Sequence, residues 1–210
     1  MKNTSSSQNI LRLVELSILI ALTVVLQLFG GSLPLGLIPL TFSLIPIAVG
    51  AIALGPKSGT ILGFSFGVVT LAMTSMNPIL VYLFQANPVC YILVAIGKAT
   101  FAGLASGLVY KFMDKVLNGK HKYLSTLLAS VTVPIVNTGL FVIGMFSFFF
   151  NSTAMLTESF PQFFGGLNGS FQVIVLGLVG FNFIGEVIVN VVLSPAIARM
   201  VAIIGQKFAK

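Results

Sequence analysis

Acidic residues are scarce in this sequence: Glu15, Asp114, Glu158 and Glu186 stand against eleven lysines and arginines in 210 residues. With Asp114 as the sole aspartate, the paired aspartates of an intramembrane aspartyl protease are excluded. The one cysteine, Cys90, excludes an internal disulfide. With His121 as the only imidazole, the chain cannot assemble a nitrogen and sulfur metal site. His121 lies in the basic polar run Gly119-Lys120-His121-Lys122, where it reads as a solvated loop histidine and leaves a serine hydrolase no base at membrane depth. Nothing that remains implies a cofactor. Charge is rare throughout, at 7% of residues where roughly a quarter is usual.

What is abundant is hydrocarbon: 57% of residues are hydrophobic and the mean hydropathy is +1.08, so the chain is an integral membrane protein. Its length accommodates about six spans of roughly 20 residues with short loops and no separate soluble domain, so any nucleotide hydrolysis has to come from another protein. The apolar runs predict an all-α polytopic bundle of six transmembrane helices in a single domain over 1–210, with spans near 10–30, 37–54, 58–76, 89–113, 123–150 and 171–204. The run at 10–30 is too long for a signal-peptide core and reads as a retained helix. Pro39 and Pro46 predict kinks in the second span. Asn77-Pro78 and Asn87-Pro88 bound an apolar connector that reads as a short helix across the bundle. The sixth run is long enough to tilt or to project past the membrane.

Ten of the eleven basic residues fall on one side of this topology: Lys2, Arg12, Lys57, Lys111, Lys115, Lys120, Lys122, Arg199, Lys207 and Lys210. The connectors 31–36, 77–87 and 151–169 on the other side carry none, so the positive-inside rule predicts cytoplasmic N- and C-termini in a cell (plasma) membrane. The net charge of +7 is then a topology signal with anionic-lipid contact, and it does not call for nucleic acid.

The eleventh basic residue, Lys98, lies inside the fourth span. The run 180–195, GFNFIGEVIVNVVLSP, places Asn182, Glu186 and Asn190 at i, i+4 and i+8, along one helix face. A carboxylate at that depth requires a cavity, a bundle interior or a partner cation. Glycine marks a second pattern. Gly55, Gly59, Gly63 and Gly67 recur every four residues in the third span, and Gly103 and Gly107 share a register with Ala99 in the fourth, which predicts close helix packing. Ser17-xxx-Ala21 is a weaker version of the same device on the first span.

Short spans, a basic 4–5 loop, the turn Leu54-Gly55-Pro56-Lys57-Ser58-Gly59 followed by Gly63 and Gly67, and a last helix with a buried polar face ending in Leu193-Ser194-Pro195 together resemble the substrate-binding S component of an energy-coupling-factor (ECF) vitamin transporter. The resemblance covers nearly the whole chain. It implies a six-helix protein that captures a vitamin from outside in a cavity in its outer half, capped by the loop after the first helix. It also implies partners, a membrane coupling protein and two cytoplasmic ATPases. Many such proteins carry an Ala-xxx-Ala motif for the coupling protein on the first helix. This sequence departs from it with Ser17-xxx-Ala21 and Ala21-xxx-Val25.

Depth selects the candidate cargo ligands. Starting from Pro88, Lys98 lies about 15 Å down at about 1.5 Å per residue, and Asn182 and Asn137 reach similar depths, with Glu186 a turn beyond. Lys98 either neutralises Glu186 or meets an anionic group of the cargo. Gln85, Asn87 and Tyr91 near the rim offer hydrogen bonds, with loop capping and interfacial anchoring as the alternative role for each. Phe146 to Phe150 form an aromatic cluster that packs or faces lipid, or stacks on a flat ligand. The apolar loop 151–169 is a candidate cover for the cavity. Riboflavin-type members show an asparagine followed three residues later by lysine on the last helix, whereas Gly185 stands there after Asn182. The overall resemblance is nearest the pantothenate type, whose carboxylate would give Lys98 a direct role. A vitamin B6 form or a thiamine precursor would use Glu186 instead. The rival class is a stand-alone proton-coupled secondary transporter built on Lys98 and Glu186.

Overall fold

A computed structural model describes residues 3–30, 41–167 and 169–208, and every regular element among them is helical. The connector 31–36, the start of the second span with Pro39, and the terminal Lys2 and Lys210 lie outside the described residues. The elements are α1 (Asn3–Gly30), α2 (Leu44–Ala53), α3 (Pro56–Ala72), a 3₁₀ turn (Thr74–Met76), α4 (Pro78–Ala86), α5 (Pro88–Val116), α6 (Lys122–Phe148), the short helices α7 (Phe150–Ala154), α8 (Leu156–Ser159), α9 (Pro161–Phe164) and α10 (Gly169–Gln172), a π-helical stretch (Val173–Val179) and α11 (Gly180–Phe208).

Four helical stretches among the described residues are long and apolar enough to cross a membrane: Gln8–Phe29, Pro88–Val116, Lys122–Phe148 and Gly169–Gln206. Helices α2 and α3 are shorter, 10 and 17 residues. At about 1.5 Å per residue they fall short of a hydrocarbon core about 30 Å thick. They are nonetheless central. Ile47, Ala48 and Val49 of α2 are fully buried, and a core of Leu44, Ile47, Leu62, Phe66, Ala99, Ala129, Val133 and Ile197 joins α2, α3, α5, α6 and α11. Pro46 sits in the first turn of α2, where a missing N–H costs no helix bond.

Local chemistry sets the boundaries. Gly55 enters α3 at φ 93° and ψ 173°, a conformation essentially reserved to glycine, and Pro56 opens the helix. Asn77 caps α4, its side chain accepting from the amides of Ile79 at 2.9 Å and Leu80 at 3.3 Å. Asn87 caps α5 by accepting from Cys90 at 3.1 Å. The third helix starts two residues before 58 and its α-helical part stops at Ala72, with the 3₁₀ turn covering the rest.

Helices α3 and α5 lie backbone against backbone. A Cβ on Gly63 would strike the carbonyl of Ala99, one on Gly59 the carbonyl of Gly103, and one on Gly107 would lie 2.7 Å from the Cα of Pro56. Gly67 faces Ala95 and Ile96 in the same row.

The final apolar run is not one regular helix over 171–204. It is π-wound from Val173 to Val179, and the Gly180 amide, at φ 12° and ψ −119°, bonds back to Val175. The cause lies in the sequence VLGLVG: Gly177 presses bare backbone against the Phe164 ring, and two glycines in four residues weaken α-helical propensity.

The two ends of the bundle differ. The Arg12 guanidinium donates to the carbonyl of Leu54, and Tyr123 and Ser194 share a hydroxyl contact of 3.1 Å. These contacts tie α1 to the α2–α3 turn and the start of α6 to the middle of α11, toward the end of the bundle that carries most of the basic residues. At the opposite end a second core of Ile79, Leu83, Tyr91, Met145, Phe149, Leu156, Phe164 and Ile174 ties α4 and the short helices α8 and α9 onto α5, α6 and the π-wound stretch.

Candidate functional site: a cavity with a lysine at its inner wall

Where the two cores part, a cavity of about 380 Å³ opens between α1, α3, α4, α5 and α6. Its wall is mostly apolar, with Phe66, Met73, Phe141 and Met145 prominent, and Gln27, Thr41, Thr70 and Asn77 add polar points. Such a volume and such a lining suit a small amphipathic molecule. Tyr91 lines it while buried, its hydroxyl 3.1 Å from that of Thr74 and its ring edge-on to Phe84 at 5.7 Å.

Among the described residues Lys98 is the one cation lining the cavity. Its ammonium stands 4.8 Å from the centroid of the Phe141 ring, a cation–π contact worth on the order of 0.5–2 kcal/mol. Below it a polar recess of about 40 Å³ is bounded by Thr41, Lys98, Asn137, Asn182 and Glu186. A water needs roughly 10–15 Å³ of such space, so the recess has room for very few. Thr41 and Lys98 line this recess together with the Glu186 carboxylate. On α11, Asn182 donates to Glu186 Oε1 at 3.5 Å and Asn190 to the Glu186 backbone carbonyl at 2.9 Å. Glu186 is only 2% exposed, and its Oε2, together with the Oδ1 atoms of Asn137, Asn182 and Asn190, has no hydrogen bond of full geometry. Buried acceptors left this way favour a donor: a water, a lysine or a ligand group.

The structure therefore brings Lys98, Asn137, Asn182, Glu186 and Tyr91 to one connected site. It does not bring Asn87 or Gln85 there. The Asn87 side chain is spent on capping α5, and Gln85 is exposed on α4, outside the lining. Thr41, Gln27 and Phe141 line the site without having been singled out in the sequence, and Asn77, read there as a helix start, lines it as well. Gln27 had a readable signal, as a lone amide near the end of an apolar helix, where its Oε1 accepts from Ser43 at 3.1 Å. Phe141 had none among 19 phenylalanines. Ser17 and Ala21 are exposed on α1, on a face shared with Leu13, Ile18, Leu22 and Val25, and the Ser17 hydroxyl bonds back to Leu13 at 2.8 Å.

A cavity with one lining cation among the described residues, in a bundle of apolar helices, suits a protein that holds a small molecule within a membrane. The family model for the substrate-specific component of ECF transporters matches residues 11–198, nearly the entire chain. The chain belongs to this family. No curated protein matches it. As an ECF substrate-specific component it is a multi-pass membrane protein of transport, and the substrate it selects is a small molecule.

Proposed function

We propose that this ECF component captures a water-soluble, anionic vitamin or precursor from outside the cell, with pantothenate the leading candidate, and delivers it with a separate coupling protein and two ATPases. The observation that carries the reading is the position of Lys98: among the described residues it is the one cation lining a 380 Å³ cavity, with its ammonium 4.8 Å from the centroid of the Phe141 ring. A carboxylate reaching Lys98 would exchange water for a charge-assisted hydrogen bond in a setting of low dielectric. Asn137, Asn182 and Tyr91 supply neutral hydrogen bonds around it. The cavity lies away from the basic end of the bundle. With that end cytoplasmic, as the positive-inside rule requires, the cavity opens outward and both termini face inward. In this reading α2 and α3 complete a six-helix membrane domain, and the face of α1 carrying Ser17 and Ala21 docks the coupling protein.

Ligand-dependent melting of the purified chain in detergent against pantothenate, riboflavin, pyridoxine and thiamine precursors tests it, because a ligand bound only to the folded state raises the melting temperature by mass action. Pantothenate should give a shift of several degrees at submicromolar concentration. A shift with a cationic compound alone would refute the anionic assignment. The second reading, a stand-alone proton-coupled carrier, draws on Glu186 beside Lys98. Substrate accumulation in liposomes holding this chain alone, driven by a pH gradient, would establish it.

A further inference from the structure

Beside one wall of the cavity, two hydroxyls and a carbonyl form a hydrogen-bonded chain whose direction is set by what each group can do. Thr70 sits in the last turn of α3, where carbonyls run out of helical amides. Its carbonyl accepts from the Thr74 hydroxyl at 3.3 Å, and the Thr74 oxygen lies 3.1 Å from the hydroxyl of Tyr91. A carbonyl can only accept, so the single Thr74 proton goes to Thr70 and the Thr74 oxygen is left to accept in turn. Acidity gives the same answer. A phenol is the stronger acid and an alkanol oxygen the stronger base, so the proton between Tyr91 and Thr74 is the tyrosine's.

Burial holds this arrangement. Tyr91 is 5% exposed and Thr74 7%, and the Tyr91 ring is braced edge-on against Phe84. Among the described residues Thr74 is the one hydrogen-bond partner of the Tyr91 hydroxyl. With its proton given to Thr74, the phenolic oxygen keeps its lone pairs for a donor, and Tyr91 and Thr70, the two ends of the chain, both line the cavity. Lys98 lines the same cavity from the same helix, α5. Two turns separate it from Tyr91, which places the two on one face and about 10 Å apart along the axis at about 1.5 Å per residue.

We propose that Tyr91 sets the specificity of the cavity as an acceptor, selecting an anion that carries a hydroxyl or amide N–H donor about 10 Å from its carboxylate. The inference rests on the capture of an anion at Lys98, and it gives the Tyr91 contact of that reading a direction and a distance. A molecule with a fluorine, an ether or a carbonyl oxygen at that point sets lone pair against lone pair, and neither side recovers the hydrogen bond it made to water.

Isothermal titration of the full chain in detergent tests this with two ligands. One is pantothenate, whose terminal hydroxyl lies at the far end from its carboxylate. The other is the analogue in which fluorine replaces that hydroxyl, which removes the donor at nearly the same size. The parent should bind the fluoro analogue about tenfold or more weakly. Tyr91→Phe should weaken pantothenate and bring the two ligands within about twofold of each other. Thr74→Val, which frees the Tyr91 proton to turn toward cargo, should narrow the difference, and Thr74→Ser should preserve it. Lys98→Gln should weaken both ligands and keep their ratio. Equal affinity of the parent for the two would overturn the acceptor and leave the anion reading in place. A difference that persists in Tyr91→Phe would give the contact to another residue and overturn Tyr91. No binding of pantothenate by the parent would bring down the proposed capture, and the inference with it.

Discussion

Replacing Gly63 by alanine adds a single methyl group, and the geometry of the α3–α5 contact states where it must go. The new Cβ would land on the Ala99 carbonyl, with the Thr100 Cα only 2.9 Å away, where ordinary contact begins near 3.4 Å. Both obstacles are main chain, so no side chain can rotate out of the way, and the helices have to part along a row that also contains Gly59 and Gly103. Overpacking of this kind costs about 1–3 kcal/mol, and the backbone obstacle puts Gly63→Ala at the upper end. For a chain of this size each kcal/mol is worth roughly 2–4 °C, so the variant should melt about 4–12 °C below the parent in detergent. Gly139→Ala is the control, since its Cβ would meet nothing within 4 Å and alanine has the higher helix propensity. Its melting temperature should be unchanged or slightly raised. If Gly63→Ala and Gly139→Ala melt together, the two helices are not in backbone contact and the packing argument fails.

Lys98→Gln should lower affinity for an anionic cargo by at least tenfold while leaving the fold intact, read by the ligand-induced melting shift. Unchanged affinity would remove Lys98 from the site. Glu186→Gln in the parent and in Lys98→Met should give a coupling energy of about 1 kcal/mol or more in a double-mutant melting cycle, and additive effects would refute charge communication across the recess. Asn87→Ala should cost about 1 kcal/mol of stability through the lost α5 cap with cargo affinity unchanged, and a loss of affinity would return Asn87 to the binding site. Ala21→Trp should block co-purification with the coupling protein while ligand-induced melting persists, and normal assembly would place the docking face elsewhere.

Much of this architecture was legible because it is written in residues with few alternative uses. Glycine every fourth residue in an apolar run has little purpose except close approach, and Gly59, Gly63 and Gly103 meet backbone. Asn-Pro twice in twelve residues is a pair of helix starts. A charge in an apolar run has to face a cavity, and Lys98 and Glu186 do. Asn87 was left between a cargo contact and a loop cap because the residue that makes a good cap also makes a good ligand contact, and the geometry gives its side chain to the α5 cap. The π-wound stretch was hidden for a different reason. Hydropathy reads composition, which is the same for α- and π-winding, and the deciding contact, Gly177 against Phe164, links positions 13 residues apart through a loop whose path the pattern does not specify. Thr41 and Phe141 carry no rarity of their own, and their role depends on where α2 and α6 happen to converge.

The glycine row between α3 and α5 also limits how the molecule can move. Its teeth recur every four residues, about 6 Å along the axis at about 1.5 Å per residue, so a shorter axial slip would drive Ala95, Ala99 or a bulkier neighbour into a bare backbone groove already filled. The pair therefore behaves as one stiff spar. Opening and closing of the cavity fall to the walls that are not welded to it: α1, which contributes Gln27, and α4 with its two capped ends. If the cavity takes cargo as proposed, entry depends on a shutter moving against a fixed post, and the Lys98 wall belongs to the post.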